Sequence, residues 1–476
     1  MNRWLRWSWL AIWLSGCTVG PDYVRPNVPA PSKWSEAQPG VREVARQYAR
    51  WWTSFEDPVL NRLIADATAS NLDLQQARER IREARAQRTI AIAAGLPSLS
   101  ARNNVSRRLN NFSSSTGTAA TPFVGGAFGV GDQVIDIFQM GFDAQWEIDL
   151  FGGIRRSVEA ADANLEAEIE NSRMVLVTLL GEVARNYIEL RGAQQLIAVT
   201  RENLRNQEDT LKLTEVRQTA GLASQLEVAQ QASQVATTRS QLPAYQAAEK
   251  LAIHALSVLL GKQPGKLTPW LQRPGSIPES TNLAEADLPS ELLRRRPDIR
   301  RAERQLAAAS AQIGVATAEL YPKFNLAAFI GLQNTDISDF TALGKAWSMG
   351  STLTTPIFNW GKLQANISSK QAQHEQMLLA YQAVVLNAFK EVEDGLVAYQ
   401  HEQTRRTSLA EAVEASRLAV ALANERYHKG MAAFLDVLVS ERSLYQAQAS
   451  LVESDAAVSA KLVAVYKALG GGWQVE

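Results

Sequence analysis

The chain has 476 residues, and its 49 basic and 49 acidic side chains give a formal net charge of zero. That balance excludes a polycation built to hold nucleic acid and a global steering field. With 46% hydrophobic and 21% charged residues, it also excludes a disordered chain.

The first stretch, "MNRWLRWSWLAIWLSGC", has a basic start at Arg3 and Arg6 and an apolar run from Trp7 to Leu14. The run is too short to span a bilayer and has the layout of a secretory signal, expected over residues 1–16. Leu14-Ser15-Gly16-Cys17 resembles a bacterial lipobox, and Cys17 is the only cysteine in the chain. The expectation is cleavage before Cys17, which then carries diacylglycerol and an N-acyl chain, a two-signal membrane anchor. Thr18, rather than an aspartate, follows it. In lipoproteins of this kind, that implies retention in the outer membrane. Pro21, Pro26, Pro29 and Pro31 come next. They forbid helix, so residues 17–56 are expected as a lipid-anchored, proline-rich, extended segment leading the fold away from its anchor.

The rest is written twice. Ala77, Gln87 and Pro97 stand at one constant offset from Ala302, Gln312 and Pro322. Gly153, Glu182, Val183 and Gly221 stand at a shorter, nearly constant offset from Gly361, Glu391, Val392 and Gly430. The first copy therefore holds extra residues between Pro97 and Gly153, in the Gly/Ser/Thr-rich "NNFSSSTGTAATPFVGGAFGVGD", a long loop. Repeat 1 is expected over 57–265 and repeat 2 over 291–470, with a linker at 266–290 and a tail at 471–476.

Each repeat predicts a helix ending at a proline, a strand pair, then a long helical hairpin. The strand pairs fall at about 98–150 and 323–358, and the hairpins at 153–261 and 361–469. Within the first pair, "FQMGFDAQWEID" alternates apolar and polar from Phe138 to Asp149, the mark of a strand with one greasy and one wet face. From Gly153 to Gly221 a continuous helix would be about 100 Å long. Leu176, Val183, Leu190, Ile197, Leu204 and Leu211 repeat every seventh residue along it. Repeat 2 answers with Val385, Val392, Tyr399, then Arg406, then Val413 and Val420. A seven-residue period means coiled-coil packing.

Four strands of this length suit a bilayer crossing but cannot close on themselves, and an open edge in lipid leaves peptide groups unpaired. Two chains would give a barrel filled by side chains, and three a barrel wide enough for water. The wet-face carboxylates Asp143, Glu147 and Asp149 favour water. The reading is a homotrimer with a lumen lined by these residues and the greasy face against outer-membrane lipid. A soluble sheet packed on helices is the alternative that local alternation alone leaves open.

Four stretches, "GCTVGPDYVRP", "WWTSFEDPVLNRLIADATASNLDL", "ELLRRRPDIRRAERQLAAASAQIGVATAELYPKFNL" and "ERYHKGMAAFLDVLVSERSLYQAQ", resemble the TolC-like outer-membrane factor family, in its lipoprotein branch of efflux channels. The resemblance covers nearly the whole mature chain. It implies a mainly α fold with a β-barrel part, four strands per chain completing a twelve-stranded trimeric barrel above a long α-helical periplasmic tunnel. The implied protein is a passive exit duct for small molecules in the outer membrane of a Gram-negative bacterium. Its implied partners are a periplasmic adaptor (membrane fusion protein) and an inner-membrane efflux pump of the RND type. Gly221 and Gly430 are expected at the adaptor-docking tip turns, where glycine permits the left-handed end of a helix. The resemblance places a periplasmic gate at Tyr427, Leu435, Asp436 and Arg442. The family often has a second aspartate where this chain has Val439, so closure is expected to lean on Leu435 and Asp436. "RRRPDIRRAER" reads as a solvated charge run at a helix start, with Pro297 in the first turn.

A type I secretion-type exit duct and a structural coiled-coil lipoprotein without a pore are the other readings. His254, His374, His401 and His428 form no HxxxH pair, and the chain has no CxxC motif. No GxSxG, P-loop, HExxH or GxGxxG is present. No cofactor, metal site or catalytic residue is expected, and no nucleic acid.

Overall fold

The computed structural model of the chain describes residues 18–29, 31, 34, 48–110, 133–280, 289–339 and 344–474. The signal stretch 1–16, Cys17, most of the Gly/Ser/Thr-rich loop and residues 281–288 of the expected linker lie outside them. After a 3-10 segment at Tyr48–Phe55, the elements run α1 (Pro58–Ser70), α2 (Leu72–Ala93), β1 (Ser98–Asn110), β2 (Gln133–Ile148), α3 (Gly153–Thr219) and α4 (Gln225–Leu259). Two short helices, Thr268–Leu271 and Pro289–Arg295, precede α5 (Pro297–Ala318). β3 (Lys323–Asn334), β4 (Lys345–Thr354), α6 (Lys362–His428) and α7 (Phe434–Ala468) complete the chain. The repeats match to the residue in their helices: α2 and α5 have 22 residues, α3 and α6 have 67, and α4 and α7 have 35.

The chain divides into two units. The first comprises Met1–Arg25, Glu83–Leu165 and Gln305–Met377 and contains the sheet, an antiparallel meander in the order β1-β2-β3-β4. The second comprises Pro26–Arg82, Glu166–Arg304 and Leu378–Glu476 and holds the main hydrophobic core. There the seven-residue period does its packing. Val183, Leu190 and Ile197 of α3 and Val385, Val392, Tyr399 and Val413 of α6 are buried, with Leu60 and Leu63 of α1, Leu256 of α4 and Tyr466 of α7 in the same cluster as most of them. Asp57 caps α1, accepting from the Val59 and Leu60 amides at 2.7 and 3.0 Å, and also takes the Tyr187 hydroxyl at 2.8 Å.

Two expectations change in this unit. Past Ile197 the fully buried positions of α3 become polar. Leu204 and Leu211 are only half-buried, while Thr200, Gln207 and Thr214, again seven apart, are buried. Gln231 of α4 donates to the Gln207 carbonyl at 2.8 Å, so a hydrogen bond sets this register where apolar contact does not. Arg406, the break in the apolar period of α6, pairs with Asp455 of α7 and with Glu279. The charge run is not simply a solvated face. Arg296 is only 8% exposed. Its guanidinium donates to the Ala468 carbonyl at 2.9 Å and pairs with Asp298 at 2.6 Å and Glu391 at 2.7 Å. A buried guanidinium needs this full set of acceptors, and it joins the start of α5 to α6 and the end of α7.

The described part of the expected linker is also packed: Leu267, Leu271 and Ile277 are buried, and Ser459 of α7 donates to the Pro278 carbonyl at 2.6 Å.

Candidate functional site: a two-faced sheet and the hairpin turns

The strand register carries the alternation of β2 across the whole sheet, because directly paired residues share a face. Phe142 lies between Ala101 and Ile330, and Ile330 lies opposite Trp347. Ala144 lies between Leu99 and Ala328, with Met349 beyond. Leu99, Val105, Met140, Phe142, Ile330, Trp347, Met349 and Leu353 on this face are all exposed. A soluble sheet buries such a face; here the chain leaves it bare. Among the described residues β1 and β4 each pair on one side only, so two strand edges are open as well. Among the described residues no helix is long and apolar enough to cross a membrane.

The opposite face carries Ser100, Arg102, Gln139, Asp143, Gln145, Glu147, Asn325 and Thr352. Asp143 pairs with Arg102 at 3.3 Å, and Glu147 stands opposite Asn325. One aromatic ring interrupts this polar face, and sequence reasoning missed it. Phe329 is buried over Gly141 and Gly331, which are direct cross-strand partners. A Cβ on either glycine would come within 2.8 Å of the ring. The signal was present: two paired glycines leave a hole that an aromatic neighbour fills. Asp149, expected as the third wet-face carboxylate, is a correction. The strand ends at Ile148, and Asp149 accepts the Arg155 amide at 2.9 Å in the first turn of α3, a helix-capping role.

The N-terminal segment is a second correction. It was expected to lead the fold away as a tether, but residues 18–22 bind the corner between β2 and α3. The Val19 amide donates to the Phe151 carbonyl at 3.1 Å. Arg156, whose side chain is buried, donates to the Val19 and Gly20 carbonyls at 3.2 and 3.3 Å and pairs with Asp22 at 2.6 Å. The fit needs two glycines in the left-handed region. Gly20 has φ +88° and packs on Gly314; Gly152 has φ +81° and packs on Thr18. Further along, in the second unit, Trp34 is buried with its ring edge-on to Phe389.

At the hairpin turns the two predicted glycines stand in matching geometry. Gly221 and Gly430 have φ +77° and +71°. The Leu222 and Met431 amides donate back to Arg217 and Arg426 at 2.7 and 2.8 Å, and the glycine amides to Gln218 and Tyr427 at 2.9 and 3.0 Å. That is the six-to-one and five-to-two pair of a Schellman ending.

The four residues proposed for a gate do not converge within one chain. The Tyr427 ring packs on Phe434 at 5.4 Å, and the Arg217 guanidinium lies 4.9 Å from its centroid, so it joins the end of α3 to the end of α6. Asp436 accepts the Ala433 amide at 3.1 Å, a helix cap. Leu435, Val439 and Arg442 are exposed at i, i+4 and i+7 of α7 and form one stripe. The first hairpin shows Leu222 and Leu226, also exposed, at the repeat positions of Met431 and Leu435. Glu441, next to the stripe, was not anticipated: burial pushes its carboxyl up to about 7.

Among the described residues no cluster of side chains could hold a metal ion. The described residues thus combine two long helical hairpins with one antiparallel sheet that has an exposed apolar face and a polar face. The chain belongs to the outer membrane efflux protein family, whose description matches residues 63–262 and 288–471. It is 36% identical over 471 residues to the pyoverdine export outer membrane protein OpmQ of Pseudomonas aeruginosa, covering 97% of this chain and 95% of that one. It is 33% identical to nodulation protein T of Rhizobium leguminosarum bv. trifolii, with 97% and 95% covered. The solved structure of the outer-membrane channel OprN matches with a TM-score of 0.87 at 34% identity, covering 96% of this chain and 100% of that one.

Proposed function

We propose that the protein is the outer-membrane exit duct of a tripartite efflux system: a homotrimer, lipid-anchored through Cys17, that passes small molecules delivered by an inner-membrane pump of the RND type through a periplasmic adaptor. The observation that carries this reading is the sheet. Among the described residues its greasy face is bare, its opposite face is polar, and both its edges are unpaired. Three copies joined edge to edge leave no open edge in lipid and enclose the polar face, with Asp143 and Glu147, around water.

The docked N-terminal segment supports the anchor. Thr18, next to Cys17, lies against Gly152 where the apolar face ends and α3 begins, so an acyl chain on Cys17 would start at the level where the strand leaves the bilayer. The relatives are named for pyoverdine export and for nodulation, and such different names fit a duct whose cargo is chosen by the pump that feeds it.

The test is conductance. Full-length protein extracted from outer-membrane fractions and added to planar bilayers should give stepwise ion currents, and metabolic labelling with palmitate should be lost in Cys17→Ser. Absence of channels from correctly assembled protein would overturn the reading.

A further inference from the structure

Side chains three or four residues apart on a helix share a face, and Phe434, Leu438, Glu441 and Tyr445 form such a series along α7. Phe434, Leu438 and Tyr445 are buried. Their contacts show what this face packs on. The Tyr445 hydroxyl lies 3.2 Å from Thr200 Oγ1 of α3 and donates to Gln241 Oε1 of α4. At the other end Phe434 packs on Tyr427, which carries the Arg217 guanidinium of α3. Glu441 lies between these two contacts, so its carboxyl faces the buried polar seam of Gln207 and Thr214 on α3 and Gln231 and Thr238 on α4. Gln207 is seven residues beyond Thr200, and Glu441 is four residues before Tyr445. Those steps are about 10 Å and about 6 Å toward the turns, which puts the two side chains at neighbouring levels.

This seam is short of donors. Among the described residues Glu441 Oε2, Gln207 Oε1 and Gln231 Oε1 are buried without a hydrogen-bond partner. The charges around Glu441 are engaged elsewhere. On α3, Glu208 pairs with Arg239 of α4 at 2.7 Å. Arg217 lies over the Tyr427 ring, at the level of Phe434 and so about 10 Å from Glu441 along α7. On α4, Glu227 completes the capping box with Ser224. On α6, Tyr427 is the titratable group on this side; Glu414 pairs with Arg417 and Glu425 with Lys429 in solvent, and Arg426 and His428 are exposed. On α7 itself, Asp436 caps Ala433 and Arg442 is exposed. A buried carboxylate without a partner is costly, whereas the acid form carries no charge and offers the O–H donor that the seam lacks. Burial accordingly pushes this carboxyl up to about 7.

We infer that Glu441 is a proton site that sets how tightly α7 packs on α3 and α4 and, through that packing, how far the hairpin turns part. Its effect on passage rests on the exit-duct reading above; its effect on packing does not. With the proton bound, the face stays closed. Once the proton leaves, the carboxylate has to reach water, and parting α7 from α3 and α4 gives it that access. In the parted state the carboxyl returns to its ordinary value near 4.5, so the packed state binds the proton more tightly. The proton's contribution to packing is fully present below about 4.5 and is lost as pH rises through about 7. The turns therefore close in acid and part in neutral and alkaline conditions.

The experiment measures hydrogen exchange at the α7 amides of residues 437–445 in full-length protein extracted from outer-membrane fractions, beside Glu441→Gln at each pH. The ratio of the two rates cancels the chemical pH dependence of exchange. It should rise about tenfold or more from pH 5 to pH 8. Glu425→Gln, which removes a nearby carboxylate that stands in solvent, should follow the unsubstituted chain. Ion current through planar bilayers should rise over the same range in the unsubstituted chain and stay at its pH 5 level in Glu441→Gln. A flat exchange ratio overturns the proton site, and so does a response that Glu425→Gln abolishes. A rising ratio with currents that ignore pH keeps the proton at Glu441 but overturns its control of passage. If no current flows at any pH, the exit-duct reading falls, and the exchange ratio still decides whether Glu441 holds the packing.

Discussion

Ala433 stands where the first hairpin has Ser224. Ser224 and Glu227 form a reciprocal capping box, with the Glu227 amide donating to Ser224 Oγ at 3.2 Å and the Ser224 amide to Glu227 Oε2 at 3.4 Å. At the second hairpin only the Asp436 half exists, because an alanine has no oxygen to offer. Ala433→Ser should complete the box and stabilise the start of α7 by about 1 kcal/mol. Hydrogen exchange at its first-turn amides should slow about fivefold; an unchanged rate would mean the turn is held from outside the chain. Leu435 is a different kind of residue. It is 54% exposed, so Leu435→Ala should change stability little. If the α7 stripe faces a narrowed opening, the same substitution should raise single-channel conductance in planar bilayers. Unchanged conductance would remove Leu435 from the gate.

At the scale of elements, the helices hold one another through a few buried charges. Glu402 of α6 is buried with Ser454 and Lys461 of α7, each at 2.7 Å, and with Arg405 at 2.8 Å. Burial pushes its carboxyl up, but the hydrogen bonds from Lys461, Ser454 and Arg405 outweigh that and hold it down to about 2. A carboxylate held below its unfolded value near 4.5 contributes stability above that pH and loses it as pH falls from about 4.5 towards 2. Glu402→Gln should therefore cost on the order of 2–3 kcal/mol at pH 7 and flatten the acid limb of the stability profile. Chemical denaturation from pH 7 to pH 3 reads both effects. Arg296→Ala should cost roughly 3 kcal/mol, because it leaves the Ala468 carbonyl and two carboxylates without their shared partner; a thermal unfolding midpoint equal to the parent's would return the charge run to a solvated face.

These elements also show where the sequence was readable. The repeats, the strand alternation and both turn glycines were visible because each is a local or periodic signal. The partners of Arg296 and Arg406 were not, because Glu391, Ala468 and Asp455 lie far away along the chain and a charge run at a helix start has the same local pattern whether wet or buried. Asp149 was misplaced because alternation continues by chance one residue past the strand. The polar seam of Thr200, Gln207 and Thr214 was hidden beside a leucine period of the same spacing.

For the whole molecule, the sheet cannot remain as one chain presents it. A greasy face in water and two open edges would drive aggregation, and in a bilayer each unpaired peptide group would cost several kcal/mol. Edge-to-edge closure by identical copies removes both problems, and copy number sets the result: two copies enclose side chains and three enclose water. The proposed closure therefore fixes a stoichiometry of three chains. The most direct test is the mass of the mature protein, extracted from outer-membrane fractions and measured by light scattering with the detergent contribution subtracted. Three chains in a single species are expected. A monomer that stays dispersed without detergent would contradict it, and the bare sheet would then need a different cover.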